Sequence, residues 1–158
     1  MISDYDYDAA TLRTLAESPD WETRREVLWH PTCPQDVKRK LWKDPDVRVQ
    51  DAALTQRSAA ARHEQEPEIL EQLAEDPSLF IRSRVTLNPA TPHYILRGMY
   101  ERGDHDDIMM HLSRRLEDLD ALIHLSGHDN RHVRQAATRN LHIPFGVWVQ
   151  NQHFRMIP

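Results

Sequence analysis

Apolar residues recur along this chain at helical rather than strand spacing. Ile95, Leu96 and Met99 fall on one side of a helix that follows Pro92. In the segment before it, Ile81, Val85 and the neighbouring Leu87 are expected to point inward together. Few stretches alternate apolar and polar residues as a half-buried strand does, so an all-α fold is predicted. The apolar runs are short and are cut by prolines. Ser18-Pro19, Asp44-Pro45, Asp76-Pro77 and Asn88-Pro89 each stop a helix, because the residue before proline is pushed out of helical geometry. At Thr91-Pro92 a new helix is predicted to start, with Thr91 as N-cap and Pro92 in the first turn. Helices this short are marginal alone in water and must bury their stripes against neighbours.

The punctuation is periodic. The segments that begin at Leu15, Leu73 and Leu125 align without gaps. An arginine follows the leading leucine by nine positions in each, at Arg24, Arg82 and Arg134. His30, Asn88 and Asn140 stand at the fifteenth position, and Pro34, Pro92 and Pro144 at the nineteenth. A weaker copy begins at Leu41, with Arg48 taken as its arginine and two residues missing before it. A fourth, eroded copy is placed at Met99, without the arginine or the proline. The starts at positions 15, 41, 73, 99 and 125 are separated by 26, 32, 26 and 26 residues. The long step holds an inserted segment, 55–68, polar enough for an exposed helix extension or a loop. Each copy is expected to be two short helices, stacked on the next as in a solenoid.

The pattern Leu73-Ala-Glu-Asp-Pro77, then Ile81-Arg82, then Asn88-Pro-Ala-Thr-Pro92, then Leu96 resembles the unit of the leucine-rich repeat variant family. Residues 73 to 96 match nearly throughout, 15 to 48 well, 125 to 144 more loosely and 99 to 118 barely. The resemblance implies a right-handed α-solenoid of about five short two-helix repeats, akin to HEAT-like arrays, with some helices of 3₁₀ type. The chain is then one helical-repeat domain over 1–158, with an acidic tail at 1–10 and a C-terminal cap at 145–158. Some family members carry a cysteine-rich iron–sulfur segment, which the single Cys33 cannot supply. The family as a whole implies no reaction.

Composition narrows the function classes. The chain has 158 residues, 39% hydrophobic and 28% charged, with only 4 glycines among 10 prolines and no run long enough to span a membrane. A formal charge of −5 weighs against a general nucleic-acid binder. One cysteine excludes an internal disulfide and any multi-cysteine metal site. The acidic N-terminus, Ser3-Asp-Tyr-Asp-Tyr-Asp8, lacks the regions of a signal peptide, and a cytoplasmic location is expected.

Few residues point to chemistry. A ladder formed by Arg24, Arg48, Arg82 and Arg134 could clamp phosphates, but recurrence at one place in every copy favours a structural role. The same holds for Leu15, Pro34, Leu41, Leu73, Asn88, Pro92, Leu125, Asn140 and Pro144. His124, His128 and His132 are spaced four apart, yet Gly127 and Asp129-Asn130 separate them onto different elements, so no metal or other cofactor is expected. Asp106-Asp107 and Asp118 with Asp120 are expected to be caps rather than acid–base pairs, and no catalytic residue or enzyme activity is predicted. The aromatic residues Trp21, Trp42, Tyr5 and Tyr7 are the candidate partner anchors, with Trp21 the most exposed of them.

The expected function is a non-catalytic protein–protein interaction module that uses one face of a superhelix, with a homodimer as one form of partnership. The alternative is a nucleic-acid-binding protein, by analogy with HEAT-like DNA glycosylases. It requires Arg24, Arg48, Arg82, Arg84 and Arg134 to stand together in solvent. Any binding site is expected in residues that break the repeat.

Overall fold

A computed structural model describes residues 6–144 and Gly146. Among them there are ten helices and no strand. All ten are α-helices, so the expected 3₁₀ pieces are absent among the described residues and short turns connect the helices instead. Tyr5 and the expected cap at 145–158, Gly146 apart, lie outside the described residues. No described helix is long and apolar enough to cross a membrane.

The chain divides into two compact units, residues 1–59 and 60–158. The first contains α1 (Ala9–Leu15), α2 (Trp21–Trp29), α3 (Gln35–Leu41) and most of α4 (Val47–His63). α2 packs against both α1 and α3. Leu12, Val27, Leu28, Val37, Leu41, Val49 and Ala53 are buried. The second unit contains α5 (Pro67–Ala74), α6 (Leu79–Leu87), α7 (His93–Arg102), α8 (Asp106–Arg115), α9 (Leu119–Ser126) and α10 (Arg131–Thr138). There α6, α8 and α10 follow one another in contact, and α5, α7 and α9 flank them. Ile81, Val85, Leu96, Met99, Leu112, Leu122 and Val133 form its core.

Short polar side chains start most helices. Asp8 accepts from the Thr11 N–H at 2.7 Å, so part of the expected acidic tail is the N-cap of α1. Asp20, Asp118 and Asn130 cap α2, α9 and α10 in the same way. Pro34 and Pro92 are themselves the extended N-cap residues of α3 and α7. Thr91 is therefore one place too early to cap α7. It is buried, and its hydroxyl donates to the Val85 carbonyl at 2.6 Å, closing the end of α6 instead. α7 ends at Gly103, whose φ of 71° is the left-handed conformation that glycine adopts without strain. The segment 55–68 is not a loop: α4 runs for 17 residues through most of it.

Helices of seven to ten residues leave a large share of their carbonyls without an internal partner. One recurring device meets this need. Asn88 Nδ2 donates to the carbonyls of Ala61 and Glu64 at the end of α4. Asn140 Nδ2 donates to those of Ser113 and Leu116 at the end of α8. Gln56 Nε2 reaches Leu28 at the end of α2, and Arg115 reaches Thr86 and Asn88 at the end of α6. Gln56 stands fifteen positions after Leu41, as Asn88 does after Leu73. Arg115 stands fifteen after Tyr100, so the eroded copy is displaced by one residue from Met99.

A second device holds the turn before each of these helices. Arg24 Nη1 donates to the Ser18 and Pro19 carbonyls, Arg82 Nη1 to Asp76 and Pro77, and Arg134 Nη1 to His128 and Asp129. Gln50 Nε2 donates to the Asp44 carbonyl at 2.6 Å. Gln50 is nine positions after Leu41, so no residues are missing there and Gln50, not Arg48, fills the arginine's place. Arg48 instead forms an exposed pair with Asp46, whose carboxyl that guanidinium holds at a pKa of about 2.

Arg24 and Arg82 use their remaining N–H groups on a carboxylate. Arg24 forks onto Asp44 with both contacts at 2.8 Å, and Arg82 onto Asp104 at 2.9 and 2.8 Å. Burial pushes the pKa of Asp44 and Asp104 up. The guanidinium and a backbone N–H outweigh it, so both stay below the usual carboxylate value.

Two stability predictions follow from these bonds. Asn88→Ala leaves the Ala61 and Glu64 carbonyls without their donor and lowers the unfolding free energy in urea by about 2 kcal/mol. The second concerns pH. The unfolded chain binds protons at Asp44 and Asp104 more readily than the native one, so their stabilisation is present above the unfolded pKa of about 4 and is lost as pH falls through the lower native values. Urea midpoints of Asp44→Asn and Asp104→Asn, measured from neutral pH down into the acid range, should show a shallower acid decline than the wild type.

Candidate functional site

The polar framework determines which way the rest of each helix faces. Arg82 must reach the Asp76 and Pro77 carbonyls, and that rotation turns Ile81 and Val85 inward, both fully buried. Phe80, Arg84 and Leu87 are then on the opposite stripe, at i, i+4 and i+7. Phe80 is 51% exposed and Leu87 is 56% exposed. Leu87 was expected inward and is not, because Val85 and the turn-closing Thr91 already occupy that end of the helix.

This stripe borders an open groove of about 580 Å³ in the second unit. Arg62 and His63, at the end of α4, line it opposite Phe80, Arg84, Leu87 and Pro89. The Arg84 guanidinium carbon lies 4.4 Å from the centre of the Phe80 ring. Its Nε is buried and has no hydrogen-bond partner. A second depression, about 340 Å³, lies between α8 and α10 and is lined by Met110, Arg114, His132, Ala136 and Arg139 among others. No carboxylate lines either one. Burial, and then the like charge of Arg114, pushes the pKa of the nearby His111 below its ordinary value, which keeps it neutral.

The arginines sort into two classes. Arg24, Arg82 and Arg134 are bound to carbonyls, the first two also to carboxylates, and Arg48 is paired with Asp46. Arg24 and Arg82 are largely withdrawn from solvent, which a phosphate-binding ladder does not allow. Arg97 pairs with Glu101 and Asp118, Arg102 bonds the Ala74 carbonyl, and the half-buried Arg115 is bound to carbonyls. Among described residues of the second unit, Arg62, Arg84, Arg114, Arg131 and Arg139 carry no carboxylate or carbonyl partner; Arg131 reaches His132 Nε2, and the other four line the two depressions.

The expected aromatic anchors are placed differently. Trp42 is 6% exposed and belongs to the core, because it closes the last turn of α3, so it cannot be a surface anchor. Trp21 is half-buried, with the guanidiniums of Arg48 and Arg25 over its ring at 3.8 and 4.9 Å. Tyr7 is half-buried with its ring centre 6.1 Å from that of His30. Trp29, which flanks α2 with Trp21, is 52% exposed at its end. It lies fourteen positions after Leu15, as Leu87 does after Leu73. Counting from the repeated arginine would have found both.

The remaining candidates build structure. Cys33 is buried, its thiol pKa raised by burial. The rings of His30, His105 and His128 accept backbone N–H groups of Thr32, Asp107 and Asn130 at turns. Asp106 accepts from Asn130 Nδ2. No three His, Cys, Asp or Glu side chains among the described residues gather where a metal could sit. Comparison with models of known families, with curated proteins and with solved structures finds no match.

The two stripes of α6 and α7 should separate in stability measurements. Leu87→Ser, on the open side, should change the unfolding free energy by no more than about 0.5 kcal/mol. Leu96→Ala, fully buried on α7, should cost about 2–5 kcal/mol. Urea unfolding followed by circular dichroism checks both.

Proposed function

We propose that the chain is a non-catalytic interaction module, built as an α-solenoid of tandem two-helix copies, that binds a protein partner through the outward face of the second helix of each copy. Support for the tandem build comes from the recurring bonds. Side chains nine positions after the leading residue hold the preceding turn, and those fifteen after it hold the previous copy's carbonyls. The resemblance to the leucine-rich repeat variant unit is in keeping with it, as is the inserted turn of helix in α4.

One observation carries the binding assignment. The framework positions are constant in role, while the positions between them are not held to one residue type. Counting seven, eleven and fourteen from the leading residue gives Glu22, Glu26 and Trp29; then Phe80, Arg84 and Leu87; then His132 and Arg139, with the buried Ala136 between them. The recurring bonds use the first set, while Trp29, Phe80, Leu87, His132 and Arg139 of the second are exposed. Large exposed apolar side chains at such positions are what an interface uses. The nucleic-acid alternative draws less support, since Arg24, Arg82 and Arg134 are committed to the framework.

The test is affinity capture with the intact chain and with a Phe80→Asp, Leu87→Asp variant whose urea midpoint matches the wild type. A protein retained by the wild type and lost from the variant is the expected result. An identical retained set from both would overturn the assignment of this face.

A further inference from the structure

We infer that the groove between the end of α4 and α6 takes an acidic protein segment, with carboxylates flanking a single aromatic or aliphatic side chain. This rests on the interaction-module assignment and specifies the partner. The groove presents two kinds of unmet demand side by side. Phe80 and Leu87 form an exposed apolar floor, one turn apart on either side of Arg84. Arg62 and Arg84 stand beside that floor without a carboxylate among the described residues, and the Nε of Arg84 is buried without an acceptor. An apolar side chain on the floor would bring its neighbouring backbone within reach of both guanidiniums. Carboxylates there would receive forked, charge-assisted hydrogen bonds in a partly desolvated setting.

The same arginine chemistry meets carboxylates elsewhere in this protein. Arg24 takes Asp44 and Arg82 takes Asp104, each with two near-parallel N–H···O contacts. Every cation in the second unit other than histidine is an arginine; the lysines are Lys38, Lys40 and Lys43, in the first unit. Arg62 and Arg84 therefore offer planar forks rather than point charges. Arg114 and Arg139 extend the carboxylate-free lining into the second depression.

A phosphate backbone would also meet guanidiniums, but two features favour the acidic segment. The chain carries a formal charge of −5, so a long polyanion is repelled at distance while a short segment meets only the local arginines. Phe80 already carries the Arg84 guanidinium over its ring, and Leu87 beside it is aliphatic, so the floor fits a side chain rather than a run of stacked bases.

The experiment is to pan a random linear peptide library against the immobilised full chain, in parallel with an Arg62→Glu, Arg84→Glu variant of matched stability. Enriched peptides should carry Asp or Glu flanking Phe, Leu or Trp. Their affinity should fall about tenfold or more on the charge reversal and should weaken as salt is raised. Failure to enrich any sequence, enrichment of peptides without carboxylates, or equal binding to the charge-reversed variant overturns the inference. Tighter binding of a labelled single-stranded oligonucleotide than of the selected peptides overturns it in favour of nucleic acid. If panning yields only neutral apolar peptides that still require Phe80 and Leu87, the acidic partner falls while the interaction module stands. If neither Phe80, Leu87 nor the arginines matter to any ligand, both fall.

Discussion

Short helices pay for their brevity in unsatisfied backbone groups, and this fold depends on side chains that answer the deficit. A helix of eight or nine residues forms only a few internal bonds, and its last carbonyls point at a neighbour rather than at water. An unpartnered buried carbonyl is costly, so each junction needs a donor that arrives from outside the helix. Gln56, Asn88, Arg115 and Asn140 are those donors. They are chemically unlike, but each carries an N–H on a side chain long enough to reach the preceding helix end.

The same accounting divides the arginines. A guanidinium has five N–H groups, enough to bind two turn carbonyls and a carboxylate at once. Arg24 and Arg82 do so, tying each turn to an acid some twenty residues further on. An arginine engaged in this way has one N–H left and no fork to offer a ligand. Side chains outside this framework, among them Phe80, Arg84, Arg114, His132 and Arg139 in the second unit, line the two depressions.

Much of this was visible in residue spacing. The prolines, the arginines at Arg24, Arg82 and Arg134, and the polar residues at His30, Asn88 and Asn140 marked the period without any coordinates. Helical class followed from the spacing of Ile95, Leu96 and Met99. Where a different residue type performs the same role, the pattern misled. Gln50 replaces an arginine, and the nearby Arg48 drew the assignment two places away. Arg115 replaces an asparagine after a one-residue slip, so that copy looked more degraded than its bonds are.

The candidate surface was less legible. Phe80 and Ile81 are adjacent, apolar and of similar bulk, and nothing in their composition says which one is buried. Trp42 and Trp29 are both tryptophans near helix ends, one in the core and one in solvent. What residue spacing determined by itself was the helical period and the places where helices stop, because proline geometry and polar capping act over a few neighbouring residues. Spacing also turned Ile81 and Val85 inward; only the tertiary structure decided the finer rotation that leaves Leu87 out. That rotation is set when a long side chain such as Arg82 finds Asp104, a partner that is distant along the chain and near only once the helices have packed.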